Sequence, residues 1–576
     1  MTPPSQSGQE DRPDQSNSHA ATVSSPRKKH GMGAVRDTGP SKPRGFLGLV
    51  LRAGNLLPDP FWLFVILAGV VLVASWIGSA VGMRAENPST GEIIEVQNLL
   101  TGEGFREMIA NAIDNFLSFP PLGVILVVML GIAVAEHAGL ISACMRGAIA
   151  RTKRPWLLTF IIALTAVTGS IASDAVYVIV IPLGAAAYKA IGRSPIAGGM
   201  VAFAASSGGF NASLLLNITD VLLAGISTEA AHFVDENYNV NPLANYFFVI
   251  PSAILLSIII TLVAELFMNR RTHELIDHST VDYDAANFDN ASSKKGDDEQ
   301  AGREDVLAGT EYDEDEEDDS DLPKDLRVQP QEVAGMKASA VALAILLIGF
   351  FVGLFAPFSP LQGEGGAVME SVLIDNIAVV IGVMFLIVGI TYGLVAGTIT
   401  QSRDIPDFMV EGLKTLLPMM VLFFAVSQFL AYFEWSQLGQ WTAIRGSELL
   451  TAIDLPTPIL FFLFAVLVFL INLLITSGSA QWALMAPVVV PMFMLVGIAP
   501  EVTQMIYRIG DSTANIVTPM SPYFALALTL LQRYHKKMGV GTLMSLSIPF
   551  ALSMFIGWFL FFLGWWGVGL PLGPGN

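Results

Sequence analysis

Apolar residues run along this chain in long blocks set apart by shorter polar segments, a pattern that predicts helices apolar all round rather than alternating strands. The block at 61–81 is 21 residues long. At about 1.5 Å of rise per residue, such a helix crosses a hydrocarbon core of roughly 30 Å. Similar blocks recur at 122–140, 245–268, 340–354, 377–396, 416–432 and 543–563. Two longer stretches, 156–187 and 460–496, are interrupted by G-S-I-A-S-D and T-S-G-S-A-Q-W, which read as the tips of re-entrant hairpins. Each is followed by a span opening on proline, at about 195–223 and 500–531, that is itself broken by polar residues.

Lys and Arg orient these elements, because short loops rich in them stay on the cytoplasmic side. Residues 1–53 form a basic tail without an apolar core suited to a signal peptide, and Arg27, Lys28, Lys29, Lys42 and Arg44 hold it inside. Arg146, Lys153, Arg154, Lys189, Arg193, Arg270, Arg271, Arg403, Arg533, Lys536 and Lys537 mark further inside loops. The polar segment 82–120, with an amphipathic surface helix near 105–116, and the base-free loop 227–241 lie outside. The expected fold is an all-α polytopic membrane protein with nine crossings and two hairpins entering from opposite faces. Its transmembrane halves, 54–270 and 334–566, flank a linker at 271–333, and a short external tail covers 567–576.

Composition agrees: 53% hydrophobic residues, 14% charged residues and a mean hydropathy of +0.57 exclude an ordinary soluble domain. The net charge of −19 changes the picture only locally. Residues 272–332 hold 21 Asp plus Glu against five Lys plus Arg, so this one linker carries −16. Its run E-Y-D-E-D-E-E-D-D-S-D repels itself and has almost nothing to bury, which predicts disorder and no nucleic-acid partner. The single Cys144 excludes an intrachain disulfide and a cysteine metal cluster.

The halves match at one offset. Adding 305 to Ala175, Pro182, Gly192, Pro195 and Ser207 lands on Ala480, Pro487, Gly497, Pro500 and Ser512. Helix breakers thus recur in order, and opposed hairpins make this an inverted repeat of the kind secondary transporters use.

Polar residues gather at the breaks. Ser170, Ser173 and Asp174 stand at the first hairpin tip, and Ser206, Ser207 and Asn211 in the span after it. Asn472, Ser477, Ser479, Gln481 and Trp482 surround the second tip, and Arg508, Asp511, Ser512, Thr513, Asn515 and Thr518 lie in the last broken span. Gly510, Pro519 and Pro522 are expected to break that helix and free backbone groups. Hydroxyls, amides and carboxylates are hard donors suited to Na⁺, with Asp511, Asn211 and Ser477 the candidate ligands. Asp174, Asp511, Ser173, Ser512 and Asn515 are the candidate coupling residues for Na⁺ or H⁺, and no other cofactor is expected. Plainer readings stand beside these. Small residues serve close helix packing, Trp482 suits the headgroup level, and Arg508 and Asp511 are spaced to pair with each other on one helix. Glu136 and His137 near a predicted inner end suit snorkelling. An intramembrane enzyme is the competing class, but no His-Glu zinc motif or G-x-S-x-G elbow stands in the broken segments.

The segments G-N-L-L-P-D-P-F, P-L-G-V-I-L-V-V-M-L-G-I-A-V-A-E-H-A-G-L, A-S-D-A-V-Y-V-I-V-I-P-L, S-G-S-A-Q-W-A-L-M-A-P and R-I-G-D-S-T-A-N-I-V-T-P closely resemble the AbgT family of p-aminobenzoyl-glutamate transporters. The resemblance implies a plasma (inner) membrane dimer of nine-span, two-hairpin subunits. It implies gradient-driven uptake of p-aminobenzoyl-glutamate or export of sulfonamide antimetabolites. Carried over by position, the functional residues are Asp174, Asn472, Ser479, Trp482, Pro500, Arg508, Asp511 and Pro519. The basic tail and the long acidic insertion depart from the family pattern. A ligand with two carboxylates and an aromatic ring suits Arg508 and Trp482. A sodium-coupled dicarboxylate carrier is the alternative within transporters.

Overall fold

The computed structural model describes residues 58–88, 91–150, 152, 154–172, 175–268, 272, 276, 281, 327–356, 359–363 and 371–574. The tail expected at 1–53 and the acidic core of the linker lie outside these residues, as do Ser173 and Asp174.

Helix α1 (Pro60–Ala80) starts where the sequence predicts, with Asp59 capping Phe61 N at 3.0 Å and Pro60 spending no amide at the first position. A two-stranded hairpin, β1 (Arg84–Glu86) against β2 (Ile93–Glu95), was not legible in the polar segment that follows. Next come α2 (Gly102–Leu117), the expected amphipathic helix, then α3 (Pro120–His137) and α4 (Leu140–Ala150). The first interrupted stretch is α5 (Pro155–Thr168), a 3₁₀ turn (Gly169–Ala172) and α6 (Ala175–Ala190). The span after it is broken into α7 (Pro195–Gly208) and α8 (Ile218–Ala231). Helix α9 (Tyr246–Val263) ends in a π turn (Ala264–Met268) and closes the first half.

The second half opens with α10 (Pro330–Phe355), the short α11 (Val372–Asp375), α12 (Ile377–Ala396) and α13 (Asp404–Trp435). Helix α14 (Leu438–Ile453) is too polar for the apolar-block criterion and was not foreseen. The second hairpin is α15 (Thr457–Asn472) and α16 (Gly478–Met494). The broken span is α17 (Pro500–Asn515) and α18 (Pro522–Gln532), and α19 (Val540–Gly567) ends the fold. Among the described residues, seven helices are long and apolar enough to cross a bilayer. Adding the two broken spans accounts for the nine crossings.

The repeat is visible in local geometry. Gly192 and Gly497, equivalent at the offset of 305, both turn the chain with positive φ, +74° and +80°. Pro195 and Pro500 both open the broken span. The second arm of each hairpin packs against the far half of the other repeat's broken span, α6 against α18 and α16 against α8. This reciprocal exchange is what a two-fold relation between the halves requires.

Loops sort into two ends as the charge pattern predicts. At one end Gln97 N donates to Ser436 O, Asn241 Nδ2 to Ile374 O, Tyr238 OH to Glu501, and Phe248 N to Leu572 O. At the other, Arg146 pairs with Glu332 at 2.5 Å and Thr398 Oγ1 donates to Ala138 O. His137 is exposed there, stacks on Phe408 and places Nδ1 3.0 Å from Ala133 O.

One expectation is corrected. Gly510 does not break its helix: α17 runs through it unbroken, and the interruption falls at 516–521. A Cβ at Gly510 would stand 2.6 Å from Ala465 O and 2.7 Å from Val468 Cβ, so the glycine lets α15 and α17 approach closely.

Candidate functional site

The breaks in the two repeats meet. Asn211, just past the end of α7, donates its backbone N to Ser512 Oγ at 3.0 Å and its Nδ2 to Asp511 Oδ2 at 2.7 Å. Asn472, at the end of the first arm of hairpin 2, donates Nδ2 to Asp511 Oδ1 at 2.6 Å. Gln481 steadies that amide, accepting from Asn472 Nδ2 while donating to Val468 O at 2.9 Å. The Asp511 carboxylate therefore sits between one amide from each repeat, 2% exposed. Gly478 at the hairpin tip completes the enclosure, since a Cβ there would lie 3.1 Å from Asp511 Oδ2.

This arrangement leaves acceptors over. Asn211 Oδ1 and Asn472 Oδ1 are buried and carry no hydrogen bond within the protein, nor does Ser207 Oγ. Buried oxygens of this kind normally find a partner, so those of Asn211 and Asn472, the two amides that hold Asp511, mark a place for a cation or water. Ser477, grouped with these in the sequence reading, instead caps α16 through Ala480 N and faces Ser479 Oγ at 3.4 Å. Asn472 stands where Ser477 was expected.

Arg508 does not pair with Asp511. Its Nη1 meets Asp220 Oδ1 at 2.5 Å, and both side chains are almost fully buried. Asp220 is held in turn by a capping box at the start of α8, where Asn217 and Asp220 exchange backbone and side-chain hydrogen bonds. Asn217 Nδ2 then reaches Ser170 Oγ at 3.2 Å, which ties hairpin 1 to the same network. Asp220 was missed. Its available signal was N-I-T-D at the head of an apolar run, an N-cap motif with a carboxylate where lipid-depth sequence normally has none. Arg508 Nε is buried and without a hydrogen bond.

Trp482 is fully buried, which removes the headgroup-anchor reading. Its ring lies 4.5 Å from that of Tyr507, and its Nε1 donates to Ser227 Oγ at 3.1 Å. Tyr507 OH donates to Gly478 O at 2.5 Å, so the aromatic pair and the Asp511 cluster share a wall. Ser479 is half-buried at the hairpin tip, and Asn515, half-buried, ends α17. Pro519 lies in the break between α17 and α18. Pro500 is set apart: it begins α17, eleven residues before Asp511, or about 16 Å along the helix. Ser206 donates to Ala202 O within its own helix, the packing role.

The comparisons with known proteins agree with this architecture. A family model described as the AbgT putative transporter family matches residues 45–301 and 305–576. The p-aminobenzoyl-glutamate transport protein of Escherichia coli (strain K12) is 33% identical over 530 residues, 92% of this chain and 96% of that one. The crystal structure of the Alcanivorax borkumensis YdaH transporter, described as having an unusual topology, superimposes with a TM-score of 0.77 at 36% identity. It covers 90% of this chain and all of that one. Neisseria gonorrhoeae MtrF, described as illuminating a class of antimetabolite efflux pumps, gives 0.79 at 34% identity over 92% of this chain and all of that one. These relatives are transporters and not enzymes, and with the fold, the paired hairpins and the family match together, this chain belongs to the AbgT transporter family.

Proposed function

We propose that this transporter carries p-aminobenzoyl-glutamate and related aromatic carboxylates, and exports aniline-type antimetabolites such as sulfonamides, across the plasma membrane in exchange for or together with Na⁺ or H⁺. The observation that carries the coupling is the buried Asp511 carboxylate between Asn211 and Asn472, whose own carbonyl oxygens lack partners. Those two oxygens suit Na⁺, which takes oxygen ligands, more than a proton alone. Moving hairpin 2 shifts Asn472 and Gly478 relative to Asp511, so occupancy of this cluster and the position of the hairpin are linked.

Arg508 and the Trp482–Tyr507 pair supply the chemistry for an anionic aromatic cargo. Arg508 is held by Asp220, so a cargo carboxylate engages it by sharing or displacing that partner. The chain works as a homodimer in the inner membrane, with the Lys/Arg-rich end and the N-terminus in the cytoplasm and the C-terminus outside.

The test is flux of labelled p-aminobenzoyl-glutamate in proteoliposomes, with Na⁺ and pH gradients imposed separately in each direction. Saturable flux that follows one gradient and competes with aromatic but not aliphatic dicarboxylates is the expected result. Flux indifferent to both gradients overturns the coupling, and equal competition by glutarate favours the dicarboxylate carrier.

A further inference from the structure

A cavity of about 890 Å³ opens at the end of the fold where the base-poor loops gather. Its walls come from the first turns of α3, the outer half of α8, the 232–245 loop, the start of α12 and the start of α17. Glu236, Asp375 and Glu501 line it, with His232 and several asparagines, and no Lys or Arg does. Glu501 is 5% exposed, and both its oxygens face Tyr238 OH, at 2.9 and 3.1 Å. Burial and the Glu501 charge push the Tyr238 phenol above its usual value, so it stays a donor.

A layer of hydrogen-bonded side chains adjoins this lining. Thr228 and Ala244 line the cavity, and their chain neighbours Ser227 and Asn245 are buried. Ser227 Oγ lies 2.7 Å from Gln504 Oε1, Gln504 Nε2 donates to Asn245 Oδ1 at 3.1 Å, and Asn245 Nδ2 donates to Glu501 O at 3.0 Å. Ser227 also accepts from Trp482 Nε1, so the indole that packs on Tyr507 is the innermost member of this layer. All four side chains are buried, and they come from both repeats and from hairpin 2. Behind them α17 continues the polar line: Glu501, Gln504, Arg508, Asp511 and Asn515 fall at spacings of three and four, one face of one helix.

We infer that this cavity is the outer mouth of the transport pathway and that Ser227, Gln504 and Trp482 form its closed gate. Every bond of the layer that crosses between elements has a side-chain donor, so parting it unwinds no helix. Ser227 and Gln504 act through Trp482 and are positioning residues. The inference rests on the transporter reading but not on which ion or cargo is moved.

Thiol labelling tests it in right-side-out membrane vesicles, with Cys144→Ser providing a background free of cysteine. Val124→Cys places a thiol in the cavity, and Ser479→Cys places one behind the gate. A membrane-impermeant methanethiosulfonate carrying a trimethylammonium is the probe. Val124→Cys is expected to react with it from outside. Reaction only from the other face overturns the outer mouth. Ser479→Cys is expected to react from outside about tenfold faster when Ser227→Ala or Gln504→Leu removes a hydrogen bond from the closed layer. The Val124→Cys rate should stay unchanged, which controls for folding. Equal Ser479→Cys rates with and without these substitutions overturn the gate. None of these rates depends on flux, so a failure of coupling in proteoliposomes is distinguishable from a failure here.

Discussion

The two broken spans share a plan and differ in chemistry. Helices α7 and α17 start on equivalent prolines, follow equivalent positive-φ glycines, and end in breaks that meet each other. Yet the line on α17 that reads Glu501, Gln504, Arg508, Asp511 and Asn515 reads Ile196, Gly199, Phe203, Ser206 and Phe210 at the equivalent positions of the first repeat. Where Arg508 meets Asp220 across the α17–α8 crossing, Phe203 meets Phe524 edge-on at 6.1 Å across the α7–α18 crossing. A Cβ at Gly199 would come within 2.5 Å of Leu531, so the apolar line is packed tight. The duplicated backbone builds a symmetric cradle in which the line of charged and polar residues on α17 has no counterpart on α7, while the first repeat contributes Asp220 from α8 as the partner of Arg508.

The largest effect expected from breaking this comparison is at its centre. Asp511→Ala should abolish gradient-coupled flux in proteoliposomes while the protein still inserts, whereas Ser206→Ala, at the equivalent place, should leave flux within about twofold because its hydroxyl bonds only its own helix. Comparable flux from inserted Asp511→Ala protein would remove Asp511 from the mechanism.

The ion pair comes next. Asp220→Asn or Arg508→Gln alone should destabilise the protein by about 3–5 kcal/mol, since each leaves a buried charge without its partner, and the double variant should recover most of that loss. Phe203→Leu at the apolar crossing should cost less than about 1.5 kcal/mol. Unfolding in detergent measures all four. Additive losses in the double variant would mean the two side chains do not depend on each other.

Smaller and more specific is the aromatic contact. Trp482→Ala should weaken p-aminobenzoyl-glutamate and p-aminobenzoate by about 1 kcal/mol more than glutarate, while Arg508→Lys should weaken every carboxylate because it loses the planar fork. Calorimetry with the three ligands separates the two, and equal losses in Trp482→Ala would assign Trp482 to the gate and hairpin packing alone.

Least is expected from the linker. Removing 297–321 should leave flux unchanged, because this stretch is almost devoid of residues to bury and long insertions add little closure cost. An inactive but inserted deletion variant would give the acidic run a place in the cycle.

The span count, the hairpins, the repeat and the presence of a central polar cluster were legible in the sequence. Block length against bilayer thickness, Lys/Arg placement and helix breakers are local signals, and each is strong when backbone must satisfy itself in lipid. Asp511, Asn472 and Asn211 belonged to that legible set. Gly510 misled because glycine marks close packing as readily as a break, and only the neighbour it faces, Ala465 here, tells the two apart. Helix α14 and the β1–β2 hairpin escaped for want of an apolar block.

Which polar side chains are partners was decided by tertiary structure. Arg508 is three residues from Asp511 and 288 from Asp220, and it pairs with the distant one. Trp482 finds Ser227 at a separation of 255. Spacing along one helix determines which residues share a face. The partner that face meets depends on how the second copy of the repeat closes over the first, a relation between distant segments that no local pattern encodes.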